Sequence, residues 1–312
     1  MTRLAMMFPG QGSQYVGMGK EFYDTFPRAR ELFDLAEEIT GLPLKRLCFT
    51  GPLKELTLTV NLQPAVTVVN LCIYEALVAA GVKPAAVCGH SLGEYSALYA
   101  AGVLTAPDTL AAVRKRGFLM HREAERHPGT MAAVIGLAPE KLATLLEPLT
   151  TSGPLALANF NTPEQTVISG TPDLVAQATR LVKAAGARAV PLKVSGAWHS
   201  PLMAGAEADF AAFLAGLDFR PPTVPLYLNA TGATETDPER LRQAMARQLT
   251  SPVRWAELIR RQQADGIDLW VEVGPKNVLQ GLWGKILPDK PAHRCLQVDT
   301  PASLEALLTA LG

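Results

Sequence analysis

The sequence has few cysteines and no excess of charge of one sign. Its four cysteines, Cys48, Cys72, Cys88 and Cys295, are far apart, with no CxxC pair and no histidine at metal-ligand spacing. This scatter indicates neither a disulfide framework nor a zinc site, so we expect buried thiols in a reducing compartment and no metal. The 29 basic residues balance 29 acidic ones. No global field therefore attracts nucleic acid or an anionic membrane, and we expect neither as a partner.

Long apolar runs are also missing. None approaches the roughly 18 residues of a membrane span, and the apolar segment near the amino terminus breaks at Pro9-Gly10, too early for a signal peptide. We therefore expect a cytoplasmic protein. Apolar residues nevertheless make up 48% of the 312 residues and charged residues 19%, which is typical of a well-packed soluble protein. The length favours either one large domain or a core domain that carries an insertion.

Short apolar runs alternate with segments of helical periodicity, which predicts an α/β protein with a largely parallel sheet. Strands are predicted at 4–8, 85–88, 226–228 and 269–273, and long helices at 20–39, 63–80 and 107–124. In the middle of the chain the order becomes strand, helix, strand, strand, helix, strand, which predicts a ferredoxin-like unit. We expect residues 1–127 and 196–312 to form a hydrolase-like core and residues 128–195 to form a small inserted subdomain. The cleft between them is the expected site.

The motif Gly89-His90-Ser91-Leu92-Gly93 lies between a predicted strand and a predicted helix. This is the context of a nucleophile elbow, in which a serine on a tight turn presents its hydroxyl at a helix amino terminus. Free N–H groups at that end stabilise an oxyanion, and the N–H of Leu92 is the first candidate. The pattern predicts that Ser91 is a nucleophile. A glycine-rich turn without catalysis is the simpler alternative.

A serine nucleophile needs a base, and the sequence offers five histidines. His90 lies inside the elbow, His121 and His127 stand among charged residues, and His293 lies in a polar segment rich in proline. His199 follows a predicted strand where the chain leaves the small subdomain, so it could reach back across the cleft. We therefore expect His199 to be the base, against the alternative of a structural histidine.

Arg116 is the residue that bears on the choice between a transferase and a hydrolase, through the kind of substrate group that it could bind. It belongs to the cluster Arg114-Lys115-Arg116 in a predicted helix. Arg114 and Lys115 fit a solvated basic face, but Arg116 borders the apolar segment that follows. A guanidinium held there could bind a carboxylate through two hydrogen bonds.

Several segments, taken in order and spacing, resemble one family over the whole chain. They are FPGQGSQ at 8–14, GHSLGE at 89–94, Arg116, GAWHS at 196–200, Gln248, and EVGPKNVLQGL at 272–282. The family is that of the malonyl-CoA:acyl carrier protein transacylases of fatty acid synthesis, together with the related acyltransferase domains of polyketide synthases. One departure is Lys276, which stands where the family usually has glycine and concerns the conformation of that loop.

The resemblance implies a ping-pong transfer of a malonyl group from malonyl-CoA to the phosphopantetheine thiol of acyl carrier protein. Ser91 would form the malonyl-serine with His199 as general base. The backbone N–H groups of Gln11 and Leu92 would form the oxyanion hole, and a backbone carbonyl would orient the histidine. Arg116 would pair with the free carboxylate of malonate. No bound cofactor is implied, and we expect a monomer.

The resemblance also assigns smaller roles. Gln63 and Gln248 would line the site. Leu92 and Trp198 match the residues of malonyl-selective members, in which a bulky aromatic occupies the space that a methyl branch requires. One methyl group is worth about 1–3 kcal/mol in such a pocket, so we expect a preference for malonyl over methylmalonyl and not an absolute exclusion.

Three alternatives stay open at this point. A serine hydrolase or thioesterase shares the elbow, although its histidine is expected near the carboxyl end and an acid earlier in the chain. A non-catalytic module that binds carrier proteins could keep the fold without the reaction. The malonyl-loading subunit of a malonate decarboxylase would differ only in its carrier protein.

Overall fold

The computed structural model describes residues 2–291 and 294–312. Its larger sheet is entirely parallel, with five strands in the described part of the chain. These strands are β1 (Leu4–Phe8), β2 (Ala86–Gly89), β7 (Leu226–Tyr227), β8 (Leu269–Val273) and β9 (Cys295–Val298). Their order across the sheet is β7-β2-β1-β8-β9, so β1 is the central strand. All five of its residues are buried, as is typical of a strand in a parallel sheet covered on both faces.

A second sheet is antiparallel and comes from the middle of the chain. Its strands are β3 (Thr130–Ile135), β4 (Leu155–Thr162), β5 (Gln165–Gly170) and β6 (Arg188–Pro191), in the order β4-β5-β3-β6. This confirms the predicted α/β class, a parallel sheet with a small antiparallel second unit. We propose residues 128–195 as the limits of that unit, inserted between the two parts of a core formed by residues 1–127 and 196–312.

Helices cover both sheets. Those that precede the second sheet are α1 (Lys20–Thr25), α2 (Pro27–Thr40), α3 (Leu44–Phe49), α4 (Leu53–Leu56), α5 (Thr59–Ala79), α6 (Gly93–Ala100) and α7 (Ala106–Arg126). The second sheet carries α8 (Pro139–Ser152) and α9 (Pro172–Ala184). The later ones are a short 3-10 helix (Pro201–Met203), α10 (Ala204–Leu214), α11 (Pro238–Arg247), α12 (Trp255–Ala264), α13 (Val278–Ile286) and α14 (Pro301–Leu311).

The helix α5 is both long and apolar. It is long and apolar enough to cross a membrane, but 78% of its most apolar window is buried inside the protein. It packs against α2, α6 and α7. This burial identifies it as a core helix, which needs no polar face.

Two helix predictions were wrong in their bounds. The predicted helix over 20–39 is two helices, because the extended Phe26 separates α1 from α2, which begins at Pro27. Proline suits a first helical position, where its missing N–H is not needed. The predicted helix over 63–80 begins earlier, at Thr59, and Pro64 lies inside it.

Candidate active site

Ser91 lies in the tight turn between β2 and α6. Non-glycine residues with a positive φ in residues 2–291 and 294–312 are Ser91 at 51°, His199 at 55° and Lys276 at 63°. Such left-handed conformations are strained for residues with a side chain, and they concentrate at functional sites. The two residues predicted to be nucleophile and base are therefore both strained. Lys276 adopts a conformation that favours glycine, the residue that the resembled family usually has there.

The glycines of the elbow allow the turn to pack against the end of β1. A Cβ on Gly93 would lie 1.9 Å from the carbonyl oxygen of Phe8, and one on Gly89 would lie 2.0 Å from the carbonyl oxygen of Gly93. Real Cβ atoms do not approach backbone so closely, so neither position accepts a side chain. A Cβ on Gly10 would lie 3.4 Å from the amide nitrogen of Leu92. The segment that carries Gln11 thus begins beside the N–H expected to bind an oxyanion.

The serine and the histidine meet across the cleft. The distance from Ser91 Oγ to His199 Nε2 is 2.7 Å. The other ring nitrogen, Nδ1, lies 2.9 Å from the carbonyl oxygen of Ser251 and 3.0 Å from that of Gln248. Carbonyl oxygens accept and do not donate, so Nδ1 carries the proton and Nε2 is free to accept the serine proton. Burial, with the nearby Arg116 charge, lowers the pKa of His199 to about 3, which keeps the ring neutral.

Arg116 is buried beside the nucleophile, with 1% of its surface exposed. Its Nη1 donates to Gln63 Oε1 at 2.8 Å, its Nε to Gln248 Oε1 at 3.1 Å and its Nη2 to Ser91 Oγ at 3.2 Å. Each of these acceptors is neutral. Burial lowers the pKa of the guanidinium, although it remains a strong base. A desolvated cation held by neutral groups next to a nucleophile can bind an anionic substrate group.

A cavity of about 280 Å³ joins these groups. Its wall includes the predicted site residues Gln11, Ser91, Leu92, Arg116, Trp198 and His199. Gln63 and Gln248 lie behind that wall, where they accept hydrogen bonds from Arg116. The opposite wall comes from the second sheet and includes Met131, Asn161 and Val167. A larger depression of about 910 Å³, between α8 and α12, has none of the predicted site residues in its wall.

The remaining histidines of the described residues have partners other than Ser91 Oγ. His90 Nε2 lies 2.9 Å from Asn161 Oδ1, so its ring contacts the second sheet, and burial lowers its pKa. His121 is half-buried and His127 is exposed, and each faces a glutamate of α7. His293 lies outside the described residues.

Sequence reasoning missed Asn229, which holds the elbow from the side of β7. Its Oδ1 accepts the N–H of Ser91 at 2.6 Å, and its Nδ2 donates to the carbonyl oxygen of Gly89 at 2.6 Å. Its own N–H donates to Glu94, the last residue of the GHSLGE segment, at 2.8 Å. The only signal for Asn229 was a polar residue directly after a predicted strand, which is too common to select it.

An α/β fold with a strained serine at a helix amino terminus, bonded to a histidine and flanked by a buried cation, defines a serine-dependent acyl-transfer enzyme. The sequence model of the acyl transferase domain family matches residues 6–295 of this chain, so the chain belongs to that family. This confirms the resemblance predicted from the sequence motifs.

Similar proteins and solved structures agree with this assignment. The chain is 40% identical to the malonyl CoA-acyl carrier protein transacylase of Bacillus subtilis (strain 168) over 313 residues, which cover 100% of this chain and 98% of the relative. An acyl carrier protein S-malonyltransferase from Vibrio cholerae superposes with a TM-score of 0.93 at 38% identity, covering 98% of this chain and 100% of that one. A malonyl-transacylase solved in complex with its type II polyketide synthase acyl carrier protein superposes with a TM-score of 0.94 at 36% identity. The match covers 99% of this chain and 100% of that one.

Proposed function

We propose that this protein transfers the malonyl group of malonyl-CoA to the phosphopantetheine thiol of an acyl carrier protein, for fatty acid or polyketide synthesis. Family membership and the full-length relatives support acyl transfer to a carrier protein. The observation that carries the malonyl assignment is Arg116, a buried cation with neutral acceptors, 3.2 Å from Ser91 Oγ. A cavity for an uncharged acyl chain would gain nothing from such a cation.

In the first half-reaction, Ser91 Oγ attacks the thioester carbonyl while its proton passes to His199 Nε2. The negative oxygen faces the N–H groups of Gln11 and Leu92, and Arg116 holds the malonate carboxylate. The carbon–sulfur bond then breaks, and His199 gives the proton to the departing CoA thiolate. In the second half-reaction, the carrier thiol gives its proton to His199 and its sulfur attacks the ester. The bond to Ser91 breaks, and the proton returns to the serine oxygen.

The cavity wall supports selection by acyl size. The indole of Trp198 lies against Gly196, where a Cβ would stand 2.6 Å from ring atoms Cη2 and Cζ3. The ring therefore uses the space that a side chain at position 196 would fill. Trp198 and Leu92 both line the cavity beside Ser91, and we propose that they disfavour a methyl branch on the acyl group.

We propose further that the protein acts as a monomer in the cytoplasm, without a bound cofactor and without a nucleic acid or membrane partner. Malonyl-CoA and the carrier protein are then its substrates. Fatty acid synthesis, polyketide synthesis and malonate decarboxylation would differ in the carrier protein that receives the malonyl group.

Intact-mass measurement after incubation with malonyl-CoA tests the acyl-enzyme. The native protein should gain one malonyl group, and acyl carrier protein added afterwards should remove it. Ser91→Ala should gain none while its thermal unfolding is unchanged, because it loses one oxygen atom. Ser96→Ala is a matched control, since Ser96 is fully buried in α6 and bonds Asn70; it should still be acylated.

Two outcomes would contradict the proposal. Rapid hydrolysis of malonyl-CoA that is indifferent to carrier protein would make the protein a thioesterase. The absence of any adduct that depends on Ser91 would leave only a module that binds carrier protein.

A further inference from the structure

Glu94 is a carboxylate with no exposed surface, in the first turn of α6. Its Oε1 accepts the backbone N–H of Asn229 at 2.8 Å, and its Oε2 accepts Nε2 of Gln248 at 2.5 Å. Both donors are amides, so the carboxylate is buried without a direct cationic partner among the residues described. A buried carboxylate is costly to the fold unless its hydrogen bonds compensate.

The two partners of Glu94 are the groups that hold the nucleophile and its base. The side chain of Asn229 accepts the N–H of Ser91. The Nε2 of Gln248 donates to the carbonyl oxygen of Ser91 at 2.9 Å, and the backbone oxygen of Gln248 accepts Nδ1–H of His199. The strained backbone of Ser91 is thus held on both sides by groups that Glu94 itself fixes.

The side-chain amide of Gln248 stands between two buried charges. Its oxygen accepts from Nε of Arg116, and its nitrogen donates to Glu94. The reverse orientation would place the amide N–H against the guanidinium and the amide oxygen against the carboxylate, with no hydrogen bond at either end. Glu94 and Arg116 therefore define the orientation of this amide together.

We propose that Glu94, in its ionised form, is a positioning residue for the acyl transfer. It holds Asn229 and the Gln248 amide against Ser91. Through that amide it also offsets the buried charge of Arg116. The terminal guanidinium nitrogens, which donate to Gln63 and Ser91, each keep a second N–H for a substrate carboxylate. A direct ion pair would instead compete with the substrate. The inference rests on the function proposed above, since it assigns a role within that reaction.

The role predicts a pH dependence with a definite sign. Burial raises the pKa of Glu94 to about 7, against the opposing effects of its two donors and of Arg116. Among the described residues, Tyr95 of α6 and Cys88 of β2 also interact electrostatically with it, and burial raises the pKa values of both. Because the ionised form is the active one, the rate of Ser91 acylation should fall as the pH falls through this value. His199, with a pKa of about 3, does not titrate in this range.

The experiment measures the second-order rate of Ser91 acylation by intact mass from about pH 5.5 to 9, which reports groups of the free enzyme. Malonyl-pantetheine is the donor, because it has no phosphate that titrates in this range. The native protein should show a fall in rate below pH 7. Glu94→Gln should be slower by about 10- to 100-fold at high pH and should lack that fall, because its amide N–H faces one of the two donors.

Glu272→Gln is the matched control. Glu272 is equally buried and its pKa is also raised to about 7, but its oxygens accept the backbone N–H groups of Leu279 and Gln280 at the start of α13. This variant should keep the fall in rate below pH 7. Its behaviour separates the ionisation of Glu94 from the general effect of removing a buried carboxylate.

The same pH dependence in Glu94→Gln as in the native protein, or a native rate in that variant, would overturn the inference. If Glu94→Gln does not fold, as judged by thermal unfolding, the pH curves of the native protein and of Glu272→Gln still test the inference. A native protein with no fall in rate near pH 7, or a Glu272→Gln variant that loses it, would overturn the inference equally. A native protein that is never acylated at Ser91 contradicts the proposed function itself. This failure appears as an unchanged intact mass at every pH, and so it is distinct from a change in the pH dependence of the rate.

Discussion

Replacing Arg116 by alanine should change which acyl groups the protein accepts. In the proposed reaction the guanidinium binds the carboxylate of malonyl, which acetyl lacks. The variant should therefore lose most of its rate on malonyl-CoA and much less on acetyl-CoA, and the ratio of the two rates is the diagnostic quantity.

The size of the effect follows from the surroundings of Arg116. The side chain is 1% exposed, and its three hydrogen bonds go to Gln63, Gln248 and Ser91, all neutral. A hydrogen-bonded charge pair in such a desolvated place is worth about 2–4 kcal/mol in the transition state. This corresponds to a loss of about 30- to 1,000-fold in kcat/KM for malonyl-CoA. Reorientation of the two glutamines affects both substrates and cancels in the ratio.

The assay compares kcat/KM for malonyl-CoA and acetyl-CoA, with acyl carrier protein as acceptor. Lys115→Ala serves as the control, because Lys115 is the neighbouring cation of α7 and lies over the ring of Phe118 at 5.8 Å; it should keep the native ratio. Equal losses on both substrates in Arg116→Ala, or a native rate on malonyl-CoA, would refute the carboxylate pairing and with it the reason for assigning malonyl.

Further predictions concern the elbow, the base and the pocket. Gly93→Ala should fail to fold in a thermal unfolding assay, because its Cβ would stand 1.9 Å from the oxygen of Phe8. Gly281→Ala, at a position in α13 with nothing within 4 Å, should instead raise the free energy of unfolding by about 1 kcal/mol. The ring resonances of His199 in NMR should not titrate between about pH 5 and 8, because a pKa lowered to about 3 keeps the ring neutral there. Trp198→Leu should raise the rate on methylmalonyl-CoA relative to malonyl-CoA by about 10-fold; an unchanged ratio in a competition assay would exclude Trp198 from selection.

The elbow could be predicted from the sequence because its requirements are local. A strand, two glycines around a serine and a following helix are all contiguous in the chain. The same holds for the order of elements in the second sheet, where each helix and strand has its own periodicity. The break at Phe26 was missed because the apolar pattern of α1 and α2 continues across it, although Pro27 was a visible signal.

Contacts between distant segments could not be predicted in the same way. Asn229 follows a strand of two residues, and nothing local relates it to Ser91. The family resemblance implied a carbonyl that orients His199, but a second carbonyl, that of Ser251, shares the same proton. Glu94 was visible in the sequence as an acidic residue in a first helical turn, where a carboxylate usually interacts with the helix dipole in solvent. It is instead completely buried, and one of its two hydrogen-bond donors, Gln248, lies in a different part of the chain.

The direct hydrogen-bond acceptors of Arg116 also affect the stability of the acylated protein. All three are neutral, and Glu94 reaches the guanidinium only through the amide of Gln248, whereas malonate at Ser91 would supply a directly bonded counter-ion. The malonyl ester stays on Ser91 in the unfolded chain as well, but its carboxylate meets Arg116 only in the folded state, and a contact made only in the folded state stabilises that state. The acylated protein should therefore resist unfolding better than the empty one.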